Sequence, residues 1–185
     1  MSRAVAIASA VLLCVLYSVR THAAWFTHPC HGYKVWYPDG WYVSPFSQPP
    51  DCRRFAVQEW PPDDPRWGGG RNPLAEGSVG IALEVYESSN SCRARLEEET
   101  SLGPQWKTWE KKTIGGRNYL TVRHPDAVLE NRFACWSDGQ HQYLFLLSVV
   151  PPYPRYKELL ATWEKVIASL QLPAPATATQ PPPTP

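Results

Sequence analysis

The alternation of apolar and polar positions is clearest over residues 79–86, where every second residue is a branched aliphatic. Val79, Ile81, Leu83 and Val85 are expected to share one face of a strand, because successive side chains in a strand point to opposite faces. The segment therefore predicts a strand with one buried face. Further runs rich in aromatic and β-branched residues predict strands at residues 33–37, 53–60, 117–123, 132–137 and 140–150, and one ending at residue 114.

Turn signals separate these strands. Pro38-Asp39-Gly40 ends the first aromatic strand and places Trp41 after the turn, and the Pro- and Ser-rich residues 41–52 are predicted to form a loop. Gly115-Gly116 and Asp138-Gly139 each suit a two-residue hairpin turn, because such turns require positive φ angles that Gly, Asn and Asp tolerate. The chain therefore predicts two antiparallel hairpins in its second half.

Two segments are predicted to form helices. Ser91 is a suitable N-cap for a helix over residues 92–102, which Gly103-Pro104 would end. The last ordered segment has a much stronger apolar stripe, between Pro154 and Pro173, and predicts an amphipathic helix. The residues of that stripe are Tyr156, Leu159, Leu160, Trp163, Val166, Ile167 and Leu170.

The two ends of the chain do not resemble the middle. Residues 1–24 have the pattern of an export signal, with Arg3 before an apolar run over residues 4–19 and small residues at the end. The run is short for a bilayer span, so a cleaved signal is favoured over a retained anchor. The protein is expected to contact a membrane only if this segment is retained. The folded domain is predicted over residues 25–172, and residues 173–185 form a Pro-rich tail predicted to be disordered.

The chain without its signal has a nearly neutral charge and a cysteine content that agrees with export. Without the signal, 16 basic residues remain against 17 acidic ones, so no basic surface suggests nucleic-acid binding. Four cysteines remain as well, and an even number in an exported chain predicts two disulfides. Three pairings are open; the shortest loops favour Cys30 with Cys52 and Cys92 with Cys135.

The long connection over residues 61–78 is the first candidate for function. It is rich in Pro and Gly, and connections of this length inside a compact domain are functional or disordered. Trp60, Arg66, Trp67 and Arg71 lie in or beside it. Trp and Arg are the residue types that anchor protein interfaces. The connection is therefore a candidate binding loop, and a packed or disordered insertion is the alternative.

The other tryptophans have two interpretations. Most of them lie on predicted strands or on the helical stripe, where burial in the core is the simpler explanation. An aromatic groove for a sugar or a peptide is the alternative interpretation. The residues concerned are Trp36, Trp41, Trp109, Trp136 and Trp163.

Catalytic and metal-binding patterns are weak. The segment from His28 to His31 contains three potential zinc ligands, but Cys30 is expected in a disulfide, so a structural role for the segment is favoured over a metal site. His124 and His141 lie near turns, and the chain has no Gly-x-Ser-x-Gly motif to supply a nucleophile. No residue pattern indicates a cofactor.

The order of elements and several short motifs resemble the PsbP-like family. The motifs are Tyr37-Pro38-Asp39-Gly40-Trp41, Ile114-Gly115-Gly116 before a paired strand, and the closing Val-Ile-Ala-Ser-Leu of residues 166–170. The resemblance covers residues 33–172. That family is named for an extrinsic photosystem II subunit, and a Ran-release factor and many exported bacterial proteins of unknown role share its fold.

The resemblance implies an α+β fold, an antiparallel β-sheet packed between helices in an α/β/α sandwich, and action by binding. The cysteines and the 61–78 insertion depart from the family pattern, and no metal or photosystem-contact residue matches by position. The sequence thus predicts a secreted or periplasmic, non-catalytic accessory protein that recognises a protein or an envelope component. The alternative is a periplasmic inhibitor or immunity protein of a lytic enzyme.

Overall fold

The computed structural model describes residues 24–44, 54–61, 79–100, 108–124 and 130–174. Within these ranges the chain forms nine strands and two helices. Neither helix is long and apolar enough to cross a membrane. The elements are β1 (Ala24–Thr27), β2 (Lys34–Tyr37), β3 (Tyr42–Val43), β4 (Arg54–Gln58), β5 (Val79–Glu87), α1 (Cys92–Thr100), β6 (Thr108–Ile114), β7 (Arg117–His124), β8 (Glu130–Ser137), β9 (His141–Val149) and α2 (Tyr156–Ala168).

Seven strands form one antiparallel sheet in the order β3-β4-β5-β9-β8-β7-β6. β5 and β9 lie at its centre and pair over nine residues each, from Val79 opposite Val149 to Glu87 opposite His141. The strands β1 and β2 form a separate two-stranded sheet. The predicted α+β fold, an antiparallel sheet packed between helices, is confirmed.

The face of the large sheet that carries α2 is called the front face below. The alternating aliphatic residues of β5 lie in its core, as their two-residue period predicted. Trp163, Val166 and Ile167 of α2 are buried in the same core. The apolar stripe of the closing helix therefore contacts the sheet because its residues recur every three or four positions.

The opposite face, called the back face below, carries α1. This helix has a narrow apolar surface, and Leu96 is its one large apolar side chain that is fully buried. Leu96 packs with Val122, Phe133 and Leu144 of the sheet. The Ser91 side chain accepts a hydrogen bond from the backbone N–H of Ala94 at 3.1 Å, which confirms the predicted N-cap.

Two short strands differ from the prediction. β1 begins at Ala24, the last residue assigned to the export signal, and Phe26 stacks on Phe55 of the large sheet with ring centroids 4.7 Å apart. β3 lies inside the segment predicted to be a loop, because Tyr42 and Val43 pair with the end of β4. Both strands are short and both contact β4, a later segment of the chain, through Phe26 on Phe55 and through the pairing of Tyr42 and Val43, so local patterning does not reveal them.

One hairpin turn is as predicted and the other is shifted. Gly115 and Gly116 both have positive φ, 56° and 78°, between β6 and β7. The β8–β9 turn was predicted at Asp138-Gly139, which is wrong by one residue: the backbone N–H of Asp138 bonds to the carbonyl of His141, so Gly139 and Gln140 are the central residues. Gly139, with φ of 95°, supplies the positive φ at the first of these positions.

Candidate functional site

The predicted binding loop joins two neighbouring strands of the large sheet. Its ends lie side by side, because Gln58 of β4 pairs with Gly80 of β5. Trp60 is half-buried at the start of the connection. Arg66, Trp67 and Arg71 lie outside the described residues, so their role stays a prediction.

Glu59 fixes the start of this connection to the region before α2. Its carboxylate accepts a hydrogen bond from the Tyr153 hydroxyl at 3.1 Å. It also forms an ion pair with Arg155, whose guanidinium donates a hydrogen bond at 2.7 Å. Burial, followed by the charge of Glu59, raises the pKa of Tyr153, which keeps the phenol protonated as a donor. The loop therefore starts from a defined position on the scaffold.

The histidine segment before β2 forms a tight turn. His28 is 1% exposed, and its Nδ1 accepts hydrogen bonds from the backbone N–H groups of Cys30 at 3.3 Å and His31 at 3.2 Å. Its ring stacks on Tyr33 with centroids 4.7 Å apart. Burial, and then the nearby His31, lower the pKa of His28 to about 4. His28 is therefore a neutral acceptor that organises the turn.

Cys30 of this turn is not available as a metal ligand. Cys30 is disulfide-bonded, and a metal would require its thiolate. His31 approaches His141 across the fold, with ring centroids 6.2 Å apart. Among the described residues, no three His, Cys, Asp or Glu side chains are arranged to hold a metal ion.

The turn between β8 and β9 brings together a serine, a histidine and a carboxylate. Asp138 accepts hydrogen bonds from the backbone N–H groups of Gln140 and His141 at 2.8 and 2.7 Å, and its other oxygen accepts one from Tyr143 at 3.0 Å. The Ser137 hydroxyl donates to the carbonyl of His141 at 3.0 Å, rather than to its ring. The His141 ring lies 3.9 Å from Asp138, and the Ser137 hydroxyl bonds to a backbone carbonyl, so the serine is not aligned with the imidazole for activation.

The predicted Cys92–Cys135 disulfide is formed, and it joins α1 to β8 with a Cα–Cα distance of 5.5 Å. Cys30 is also disulfide-bonded. Cys52, its predicted partner, lies outside the described residues, so the Cys30–Cys52 pairing stays a prediction.

The tryptophans predicted to be core residues are packed to different degrees. Trp163 is 4% exposed, and the other four are half-buried against the two cores. Several of their rings are covered by cations: Lys165 lies 3.9 Å from the ring centroid of Trp36, and Arg117 lies 5.0 Å from that of Trp136. These rings pack against charged side chains and do not form an open aromatic platform.

The sequence did not predict a groove on the sheet beside the start of α1. Its volume is about 730 Å³. Ser91 and Cys92 line it on the helix side, and Lys111, Thr113 and Asn118 line it on the side of the β6–β7 hairpin. The lining residues come from four separate segments, so no local motif could have indicated the groove.

The fold can be compared with solved structures. The chain matches cyanobacterial PsbP (CyanoP) from Synechocystis sp. PCC 6803 with 12% identity and a TM-score of 0.52, over 85% of this chain and 96% of that one. The chain has the PsbP-like fold. It also matches the Ran-binding protein Mog1p of Saccharomyces cerevisiae with 10% identity and a TM-score of 0.51, over 82% of this chain and 96% of that one.

A structure from Bacteroides thetaiotaomicron matches more loosely, with 13% identity and a TM-score of 0.45. The match covers 77% of this chain and 45% of that one, so this chain spans less than half the length of that protein. No family model and no curated protein matches the sequence. The comparisons therefore establish the PsbP-like fold, and function has to be argued from the residues of this chain.

Proposed function

We propose that the protein is an exported, non-catalytic binding protein that recognises a protein or an envelope component through the connection between β4 and β5. The observation that carries the proposal is the anchoring of this connection. Its two ends lie on paired strands, and Glu59 is bonded to Tyr153 and Arg155. Rigid scaffolds that present a long loop are a common arrangement for recognition.

Export is supported by the pattern of residues 1–24 and by the disulfide between Cys92 and Cys135, since disulfides persist in oxidising compartments. It is tested by expressing the full chain in its native host and sequencing the N-terminus of the secreted or periplasmic product. A mature N-terminus near Trp25 is expected. Recovery of the uncleaved chain in the cytosol would contradict this part of the proposal.

Binding is tested by affinity capture from the native envelope, read by mass spectrometry, with the mature protein and two double variants. Arg66→Ala with Trp67→Ala removes the proposed anchors. Trp25→Ala with Arg93→Ala removes the same residue types at surface positions, since Trp25 is 48% exposed. The loop variant is expected to lose capture with an unchanged melting temperature, and the control variant is expected to keep it.

The captured molecule also separates the two classes of binding protein. A lytic enzyme whose activity the mature protein inhibits would favour the inhibitor or immunity role, whereas an envelope-assembly component would favour the accessory role. Equal capture by the loop variant and the native chain would show that residues 61–78 are not the binding site. If the native chain captures nothing specific, the binding proposal itself fails.

A further inference from the structure

β6 is the longer of the two edge strands of the large sheet. It pairs with β7 on one side and, within the described part of the chain, with no strand on the other. The opposite edge, β3, is only two residues long. Five of the seven residues of β6 are exposed, as binding of another chain at this edge requires.

The hairpin turn determines which backbone groups point outwards. A two-residue turn makes its flanking residues, Ile114 and Arg117, a hydrogen-bonded pair, and hydrogen-bonded and non-bonded pairs then alternate along the ladder. Lys111 and Thr113 belong to non-bonded pairs. Their N–H and C=O groups therefore point away from β7 and can pair with an added strand.

The charge on the back face of this edge favours an acidic partner. Lys112 lies on the front face and is paired with Glu164 of α2 at 2.6 Å. Lys111 lies on the back face, is exposed, and has no ion-pair partner among the described residues. It also lines the groove at the N-terminal end of α1, where the helix dipole adds to the favourable potential for an anion.

A second copy of this chain is disfavoured in the three central registers of the edge. Two copies could extend the sheet across a two-fold axis perpendicular to it. Residues directly opposite each other in an antiparallel pair lie on the same face of the sheet, so such an axis must pass beside one residue and its own copy. With the axis at Glu110, Lys111 or Lys112, that residue faces its own copy, and like charges directly opposite each other destabilise a strand pair. Lysine on an edge strand is a known protection against self-association.

We propose that β6 binds an extended acidic segment of a protein partner by strand addition. The segment pairs with the outward backbone groups of Lys111 and Thr113, and an acidic side chain on its back face contacts Lys111 beside the groove. The inference deepens the proposed function and rests on it, because it assigns a second contact surface to the same binding protein.

The test uses two defined probes, a nine-residue peptide of alternating valine and glutamate and its sibling with lysine in place of glutamate. Binding of the fluorescently labelled peptides to the disulfide-intact mature protein is measured by anisotropy. The glutamate peptide is expected to bind at least tenfold more tightly than the lysine peptide. Hydrogen exchange should slow at the amides of Lys111 and Thr113.

Two variants of Thr113 separate the backbone from the side chain. Thr113→Pro removes the outward N–H, which an edge strand tolerates, and is expected to weaken binding at least tenfold. Thr113→Ala keeps the N–H and loses only the side-chain hydrogen bond to Asn118, so it should bind within twofold of the native chain. In case the proline variant does not fold, Lys111→Glu provides an independent test, since it should reverse the preference to the lysine peptide.

The proposal is overturned if neither peptide binds, if Thr113→Pro binds as well as Thr113→Ala, if Lys111→Glu keeps the glutamate preference, or if exchange slows only elsewhere. Envelope capture with the same variants distinguishes this failure from failure of the proposed function. A protein captured equally by the native chain and by folded Thr113→Pro leaves the binding function intact and removes β6 from it. A native chain that captures no protein refutes the binding function instead.

Discussion

The two glycines between β6 and β7 offer a matched pair of substitutions. Both have positive φ, but their surroundings differ. A Cβ on Gly115 would lie 2.7 Å from the Cα and 2.9 Å from the carbonyl oxygen of Ala168, at the end of α2, whereas a Cβ on Gly116 would have no atom within 4 Å. We therefore predict that Gly115→Ala destabilises the fold much more than Gly116→Ala.

The magnitudes follow from two separate costs. An alanine in the left-handed region costs about 1–2 kcal/mol at either position. Only Gly115→Ala must also displace α2 or the hairpin, and overpacking of this kind costs about 1–3 kcal/mol more. The free energy of unfolding is therefore expected to fall by about 1–2 kcal/mol for Gly116→Ala and by about 2–5 kcal/mol for Gly115→Ala.

Urea denaturation of the mature, oxidised protein, followed by tryptophan fluorescence, measures both values. The slope with urea should stay unchanged, so that the midpoints report stability. A further variant, Gly115→Ala with Ala168→Gly, should recover little, because the closest atoms at Ala168 belong to the backbone. Equal losses for the two single variants would refute the close packing of the hairpin against α2.

Three further predictions concern the core and the turns. Replacing Cys92 and Cys135 by Ser should lower the free energy of unfolding, measured by denaturant titration, by up to about 4 kcal/mol, because the disulfide closes a 43-residue separation. A reduced native chain that is as stable as the oxidised chain would contradict this. Leu96→Ala should lower the free energy of unfolding by about 2–5 kcal/mol and increase the rate of amide hydrogen exchange in α1. Unchanged exchange would mean that Leu96 does not hold the helix on the sheet. Because burial lowers the pKa of His28 from 6.5 to about 4, its contribution to stability should be complete above pH 6.5 and decline as the pH falls towards 4. His28→Asn, which keeps a hydrogen-bond acceptor for the turn, should flatten the dependence of stability on pH. An unaltered pH dependence would mean that other groups cause it.

The sequence was sufficient where one short segment determines its own structure. The alternation in β5 and the stripe of α2 repeat with the periods of a strand and a helix, and Gly115-Gly116 places a turn where only positive φ fits. The sequence was insufficient where partners are distant. β3 is a strand because it pairs with β4, β1 packs on Phe55 of that later strand, and the groove beside α1 exists because the β6–β7 hairpin and α1 converge there.

The central position of β5 has a consequence for synthesis of the chain. β5 is an aliphatic strand whose second partner, β9, begins only at His141, so one of its edges has no partner until most of the domain has been made. Pairing across such a separation folds slowly, and an open apolar strand edge invites aggregation meanwhile. Fragments that end before His141 should therefore be insoluble, and a chaperone that covers β5 should improve the yield of the whole chain.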